Sequence, residues 1–269
     1  LNTAWGQPAL VDNRPGANQM LAADIMAKSP PDGHTMYVTS SSYTTGVAMQ
    51  PKQPFDPIND VAGVTLLASG PMVVVIHPSL PVKTVEDLVA LAKAKPGVLN
   101  YVSAGVGSIN HMSMELFRAA ANINVVHVPH KGMSPAITDL MAGNVQALIV
   151  SLPSVSAQMS SGRLRAIAVT SPKRSSFVPD MPTVSESGVP GYEASLWWGL
   201  FAPGKTPKSV LAKINEEVRR AMGTPEMSKR FADFGAEAAP TSPEGLSALV
   251  QKEIERWSKV VKDANIKAE

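Results

Sequence analysis

The chain has 269 residues, 44% hydrophobic and 17% charged, so it is long enough for about two domains of roughly 100–200 residues each and apolar enough to bury a core in both. Net charge is +2, aromatics make up 5%, and the basic pairs Lys173-Arg174 and Arg219-Arg220 stand alone, which argues against nucleic acid as a partner. There is no cysteine, which excludes a disulfide framework, a zinc thiolate site and a thiol nucleophile, and no run approaches the ~20 apolar residues of a membrane helix.

Ala9–Asp12 reads as a short strand, and Asn18–Ala27 as a helix capped by Asn18 and ended by Ser29-Pro30-Pro31. Thr35–Thr39 is a strand entered through the turn Pro31-Asp32-Gly33. Val61–Ala68 and Met72–Ile76 are apolar strands split by Ser69-Gly70-Pro71. Thr84–Lys95 is a helix in which Thr84 caps, Asp87 supplies the acidic third position, and Pro96-Gly97 stops the run. Strand 98–102, helix 108–121, strand Val125–Val128 and a helix over Pro135–Ala142 stopped by Gly143 follow. Strand Val145–Val150, a helix over Ser154–Ser161 and strand Leu164–Thr170 complete the series. This alternation predicts an α/β chain with largely parallel sheets. Residues 171–190, rich in Pro, Ser and charge, read as a long surface connection; Tyr192–Ala202 is extended. Helices are expected over Val210–Met222 and across 226–234 and 243–264.

The most informative segment is Ser103-Ala104-Gly105-Val106-Gly107-Ser108-Ile109-Asn110-His111. It runs from a strand through a small polar turn into a helix, an order that leaves backbone N–H groups unpaired at the helix start and favours an anion there. Asn13-Arg14-Pro15-Gly16-Ala17-Asn18 is a second junction of this type, and Thr39 to Thr45 is a hydroxyl-dense strand exit, the place where open α/β sheets bind ligands. His127-Val128-Pro129-His130-Lys131-Gly132 has no carboxylate cluster beside it, so neither a metal nor any cofactor is expected. Gly105-Val106-Gly107-Ser108-Ile109-Asn110 has Asn where a dinucleotide fingerprint needs its third Gly. No Gly-x-Ser-x-Gly elbow and no Walker A motif exist, so no enzyme is expected. Two rival readings stay open: a hydrolase using Ser108 and His111, and a structural paralogue without a ligand. His111 also reads as a first-turn helix residue packed under the loop.

Taken together, Val11-Asp12-Asn13-Arg14-Pro15-Gly16-Ala17, Pro31-Asp32-Gly33-His34-Thr35, the 103–111 turn, His127 to Gly132 with Pro135-Ala136 and Asp139-Leu140, Leu164 to Thr170, Pro179 to Val184 and Trp198 to Pro203 give the chain its likeness. Over nearly its whole length it resembles the extracytoplasmic receptors of tripartite tricarboxylate transporters, the Bug or TctC-like family. The resemblance implies a two-lobed periplasmic binding protein of type II-like α/β fold, closing by a hinge on a small carboxylate held in a cleft between two mainly parallel sheets. It implies lobes of 1–101 plus 199–269 and of 102–198. Carried over, the ligand-binding residues would be Gly16, Ala17, Ser40 and Ser42 from the first lobe. From the second they would be Ser103, Ala104, Gly107, Ser108 and His111, with Lys131, Gly132, Ser134 and Pro135 as the far wall and Ser151 after the next strand.

The implied partners are a di- or tricarboxylate or an aromatic acid, and the permease subunits of a tripartite transporter; a monomer in the bacterial periplasm is expected. Three departures stand out. Members usually open on a strand and a Gly-rich, Asp-bearing loop, so the first lobe is expected to lack both, and no signal peptide is read. Ser151 stands where an acidic residue is frequent, which turns the expectation away from amino-acid ligands. His130 stands where Tyr is common.

Overall fold

The computed structural model describes residues 6–14, 19–50 and 52–267. The chain forms two units, Leu1–Ser69 with Trp197–Lys259, and Gly70–Leu196 with Val260–Glu269. Among the described residues no helix is long and apolar enough to cross a membrane.

In the first unit the elements are α1 (Met20–Ala27), β1 (Tyr37–Ser40), α2 (Ser42–Met49) and β2 (Val61–Gly70), the last of which runs one residue into the second unit. In the second they are β3 (Met72–Ile76), α3 (Val85–Ala94), β4 (Asn100–Ser103), α4 (Ile109–Ala121), β5 (Val126–Pro129), α5 (Met133–Met141), β6 (Ala147–Ser151), α6 (Ser156–Ser160) and β7 (Arg165–Val169). β8 (Leu196–Pro203), α7 (Lys208–Met222), α8 (Pro225–Asp233), β9 (Glu237–Ala238) and α9 (Pro243–Asp263) close the chain.

The first sheet has the order β1-β8-β2-β9, with β1 antiparallel to β8 and β2 antiparallel to β9. Alternation along β8 builds a core on each face. Trp197 and Phe201 join Met20, Tyr37, Tyr43, Leu246 and Val250 on one side. Leu200 and Ala202 join Val64, Leu211, Ile214 and Val218 on the other.

The second sheet has the order β5-β4-β6-β3-β7. β4 pairs in parallel with β5 and β6, while β3 is antiparallel to β6 and β7. β3 is buried along its whole length, as its unbroken apolar run Met72 to Ile76 requires. α3 carries the capping box read from the sequence: Thr84 Oγ1 accepts from the Asp87 N–H at 3.1 Å, and Asp87 Oδ2 accepts from the Thr84 N–H at 3.1 Å.

Four expectations are corrected. The units divide at Ser69–Gly70, not at Tyr101: β3 hydrogen-bonds into the second sheet, so residues 70–101 belong with it, and Val260–Glu269 joins the same unit. The lobes 1–101 plus 199–269 and 102–198 are redrawn accordingly. The second sheet is mixed rather than mainly parallel, because strand–helix alternation carries no direction for a strand that enters from another unit, and in the first sheet β1 with β8 and β2 with β9 pair antiparallel. Ala9–Asp12 is not a strand: Leu10 and Val11 are exposed, and no strand pairing among the described residues includes them. Residues 171–190 are only partly a surface connection, since Thr183, Val184 and Val189 are buried and Val184 donates its N–H to Val169 O at 2.9 Å. The proposed cap Asn18 lies outside the described residues; α1 starts after Gln19, which is in the left-handed region at φ 74°.

One buried acid ties the first unit together. Glu253 of α9 accepts at Oε2 from the indole N–H of Trp197 at 3.0 Å and of Trp257 at 3.4 Å. The Thr44 hydroxyl has one proton and two acceptors in reach, Ser41 O at 2.8 Å and Glu253 Oε2 at 3.0 Å. A protonated Glu253 resolves that conflict by donating to Thr44. Burial pushes this carboxyl above the usual carboxylate range, against the pull of Trp197, Thr44 and Trp257. A folded value above the unfolded one makes the contribution complete below the unfolded value and erodes it as pH rises through the folded value. Glu253→Ala, which strands two indole donors and leaves the Thr44 hydroxyl only its bond to Ser41 O, should cost roughly 2–4 kcal/mol in denaturant unfolding. Glu253→Gln should cost less and should flatten the decline of stability at rising pH; an unchanged pH profile for that variant would contradict the assignment.

Candidate functional site

In the second unit β4 lies between β5 and β6 and runs parallel to both, so three strands end at one edge of the sheet. Their exits carry Ser103, His130 and Ser151. Carboxyl ends of parallel strands are where open α/β sheets take ligands, because the chain there turns into helix starts with unpaired N–H groups.

The β4 exit is a tightly wired turn. Gly105 and Gly107 have φ values of 131° and 77°, which side-chain-bearing residues rarely adopt. Ser103, fully buried, accepts from the Gly105 N–H at 3.1 Å and donates to Gly105 O at 3.0 Å. Its Oγ also lies 2.7 Å from His127 Nε2. Ser108 caps α4, accepting from the His111 N–H at 3.3 Å and donating to Gly105 O at 2.7 Å. Gly107 donates its N–H to His111 Nδ1 at 3.1 Å. The two hydroxyls and the N–H groups of Gly105, Gly107, Ser108 and His111 are therefore engaged inside the turn, which leaves the N–H groups of Ala104, Val106, Ile109 and Asn110 to meet an anion.

The neighbouring exits are laced to it. His130 donates its N–H to Ser103 O at 3.1 Å, and Gly132 to Ala104 O at 3.2 Å, so the Lys131–Pro135 loop stands beside the turn. His130 Nε2 sits 3.0 Å from Asp139 Oδ2, whose partner oxygen accepts from Asn144 at 2.8 Å. Lys131, Ser134 and Pro135 are exposed, and Ser134 uses its carbonyl to accept from the Thr138 hydroxyl at 3.0 Å. Asn110 donates to Ile149 O at 2.8 Å, tying α4 to β6; just beyond it Ser151 Oγ pairs with Ser154 Oγ at 2.6 Å. Among the described residues, no group of three His, Cys, Asp or Glu side chains is gathered to hold a metal ion.

The first unit supplies its own strand exit, after β1. Gln19 donates from Nε2 to Ser40 Oγ at 3.1 Å, and its Oε1 accepts from the Thr39 hydroxyl and, at 3.4 Å, from the Ser40 N–H. Ser42 is half-buried and donates its N–H to Ser40 Oγ at 3.4 Å. Gly16 and Ala17 lie outside the described residues. Gln19 and His127 hold the two exits in shape, and neither emerges from the sequence as a site residue. The only signal is positional: Gln19 directly precedes α1, and His127 is a polar residue within an otherwise apolar strand.

Electrostatics separate this arrangement from a hydrolytic one. Burial, with Arg118 adding to it, lowers the His111 pKa to about 4. Burial and His111 lower His127 to about 4 against an opposing pull from Glu115. Both rings are neutral at physiological pH, so the turn offers an anion oriented dipoles rather than a fixed charge. No side-chain hydrogen bond joins Ser108 to His111, because the serine hydroxyl is spent on Gly105 O and the ring Nδ1 on Gly107. A Ser108–His111 nucleophile–base pair is thus not assembled.

The family model described as the tripartite tricarboxylate transporter family receptor matches residues 1–266. A protein from the tcbD-tcbE intergenic region of Pseudomonas sp. is 36% identical over 269 residues, covering 100% of this chain and 80% of that protein. The solved Rpa4515 of R. palustris with adipate is 34% identical, with TM-score 0.86 over 99% of this chain and 89% of the other. MatC (Rpa3494) of Rhodopseudomonas palustris with bound malate is 32% identical, with TM-score 0.82 over 97% of this chain and 90% of the other.

The two depressed imidazoles set the acid behaviour of the second unit. Folded values near 4 against 6.5 unfolded mean that the unfolded state takes up more protons in between. Their stabilisation is complete above pH ~6.5 and drains as pH falls toward ~4. Melting temperature followed by circular dichroism should therefore drop by several degrees across that window, and His111→Gln should shrink the drop. A flat profile in the unaltered chain would contradict the burial of neutral imidazoles.

Proposed function

We propose, from the premise that this chain belongs to the tripartite tricarboxylate transporter receptor family, that it is an extracytoplasmic receptor that captures a small dicarboxylate and passes it to membrane permease subunits. The observation that carries the reading is the glycine turn between β4 and α4, built of neutral donors at the shared edge of three parallel strands. Such a turn meets a carboxylate with neutral donors, Lys131 standing alongside, and lets it go again, which suits delivery better than transformation.

In this proposal the turn contributes the free N–H groups beginning at Ala104, while Ser103, Gly107 and Ser108, whose own donors are spent within it, shape it over His111. Lys131, Gly132, Ser134 and Pro135 flank the turn, and Ser151 contributes from the β6 exit. Ser40 and Ser42, with Gly16 and Ala17 before α1, supply the first unit's donors. Dicarboxylates are favoured over tricarboxylates and aromatic acids by the relatives solved with adipate and with malate. Ser151, paired only to Ser154, provides no carboxylate for a ligand amino group, which favours acids over amino acids. The unassembled Ser108–His111 pair supports a receptor without turnover. Residence in the periplasm as a monomer belongs to the same reading.

Calorimetry and thermal shift with adipate, malate, citrate, benzoate and nicotinate test this. A bound dicarboxylate at about a hundred times its Kd should raise the melting temperature by roughly 5–10 °C, and p-nitrophenyl acetate should not be hydrolysed. A chain that no carboxylate stabilises, or one that turns over the ester through Ser108, overturns the reading.

A further inference from the structure

Beneath the glycine turn stand three stacked rings. Tyr101 of β4 lies 4.8 Å from His127 of β5 at an interplanar angle of 19°, and His127 lies 4.0 Å from His111 of α4 at 16°. At the foot of the column Tyr101 donates to Glu115 Oε1 at 2.5 Å, and Arg118 binds Glu115 Oε2 at 2.6 Å.

The hydrogen bonds set the tautomers. Gly107 donates to His111 Nδ1, so that nitrogen is bare and the proton sits on Nε2. Ser103 already accepts from the Gly105 N–H and gives its own proton to Gly105 O, so its contact with His127 Nε2 is satisfied when the imidazole donates. Two neutral rings thus grip the turn, one at Ser103 and one at Gly107. Phenyl rings would stack equally well but would offer neither nitrogen.

We propose that His127 and His111 are positioning residues, clamping Ser103 and Gly107 at the two ends of the turn so that its N–H groups are set out for an anion before one arrives. The proposal rests on the carboxylate reading of this turn. A segment with two glycines in the left-handed region is otherwise free to sample many conformations, and ordering it on binding would weaken affinity. His127 is half-buried beneath the turn, so its effect on a ligand passes through Ser103.

The test uses the full chain and four variants: His127→Phe, His127→Gln, Ser103→Ala and the Ser103→Ala/His127→Phe double. Adipate affinity is read by calorimetry, Gly105 and Gly107 amide exchange by NMR in the ligand-free protein, and integrity by melting temperature. His127→Phe keeps the stack, so it should melt within a few degrees of the unaltered chain while its Gly105 amide exchanges about tenfold faster and adipate binds about tenfold more weakly. His127→Gln, whose amide N–H replaces Nε2–H, should recover most of both losses, and the double variant should be no worse than Ser103→Ala. Unchanged exchange and affinity in His127→Phe would overturn the clamp, as would a His127→Gln variant as impaired as His127→Phe. If the unaltered chain binds neither adipate nor malate, the receptor reading fails by itself, and Gly105 exchange in His127→Phe still decides the clamp.

Discussion

Parallel pairing of β4 with β5 on one side and β6 on the other is the constraint from which the candidate site follows. Parallel neighbours must finish at the same edge, and each needs a helical or looped return that begins there. Three polar exits from distant stretches of the chain are therefore brought side by side by the strand pairing itself, with the His127 and Asn110 side chains adding links across it. Between the β4 and β5 exits run two backbone bonds, from His130 to Ser103 and from Gly132 to Ala104. An edge held by main-chain bonds is insensitive to which side chains decorate it.

The two units handle buried polar groups in opposite ways. In the first, a carboxyl is buried among two indoles and a hydroxyl and is pushed toward its protonated form. In the second, imidazoles are buried against each other and driven toward their neutral form. Both solutions discard charge where water is excluded, as desolvation demands. The turn above the imidazoles is thus flanked from below by uncharged rings, and the polarity it presents comes from backbone dipoles.

What could be read from the sequence was local. The Thr84–Asp87 capping box, the strand–turn–helix at Ser103 to His111 and the helix stop at Gly143 each depend on neighbours within a few residues, and each is where the pattern put it. What could not be read depended on partners far along the chain. Met72–Ile76 is plainly a strand, but its antiparallel direction and its membership of the second unit come from Ala147–Ser151 and Arg165–Val169. His127 looks like a stray polar residue until β5 is laid against β4, which stacks it on Tyr101 and brings it to Ser103. Ala9–Asp12 erred the other way, since three apolar residues and an aspartate carry too little periodicity to specify a strand.

The first unit is assembled from two stretches separated by most of the second. On the ribosome, β1, α1 and α2 emerge before the second unit, yet β8, the strand that stands between β1 and β2, comes only after every strand of the second unit has been made. Until then Tyr37 and Tyr43 lack the Phe201 ring that lies 6.3 Å and 5.8 Å from them in the finished protein. The inserted unit is complete in strands first, whereas the unit that begins the chain must wait with an open sheet edge and uncovered aromatics. Chain order therefore makes the earlier stretch of the first unit the part that needs shielding during synthesis, a burden set by topology rather than by its final stability.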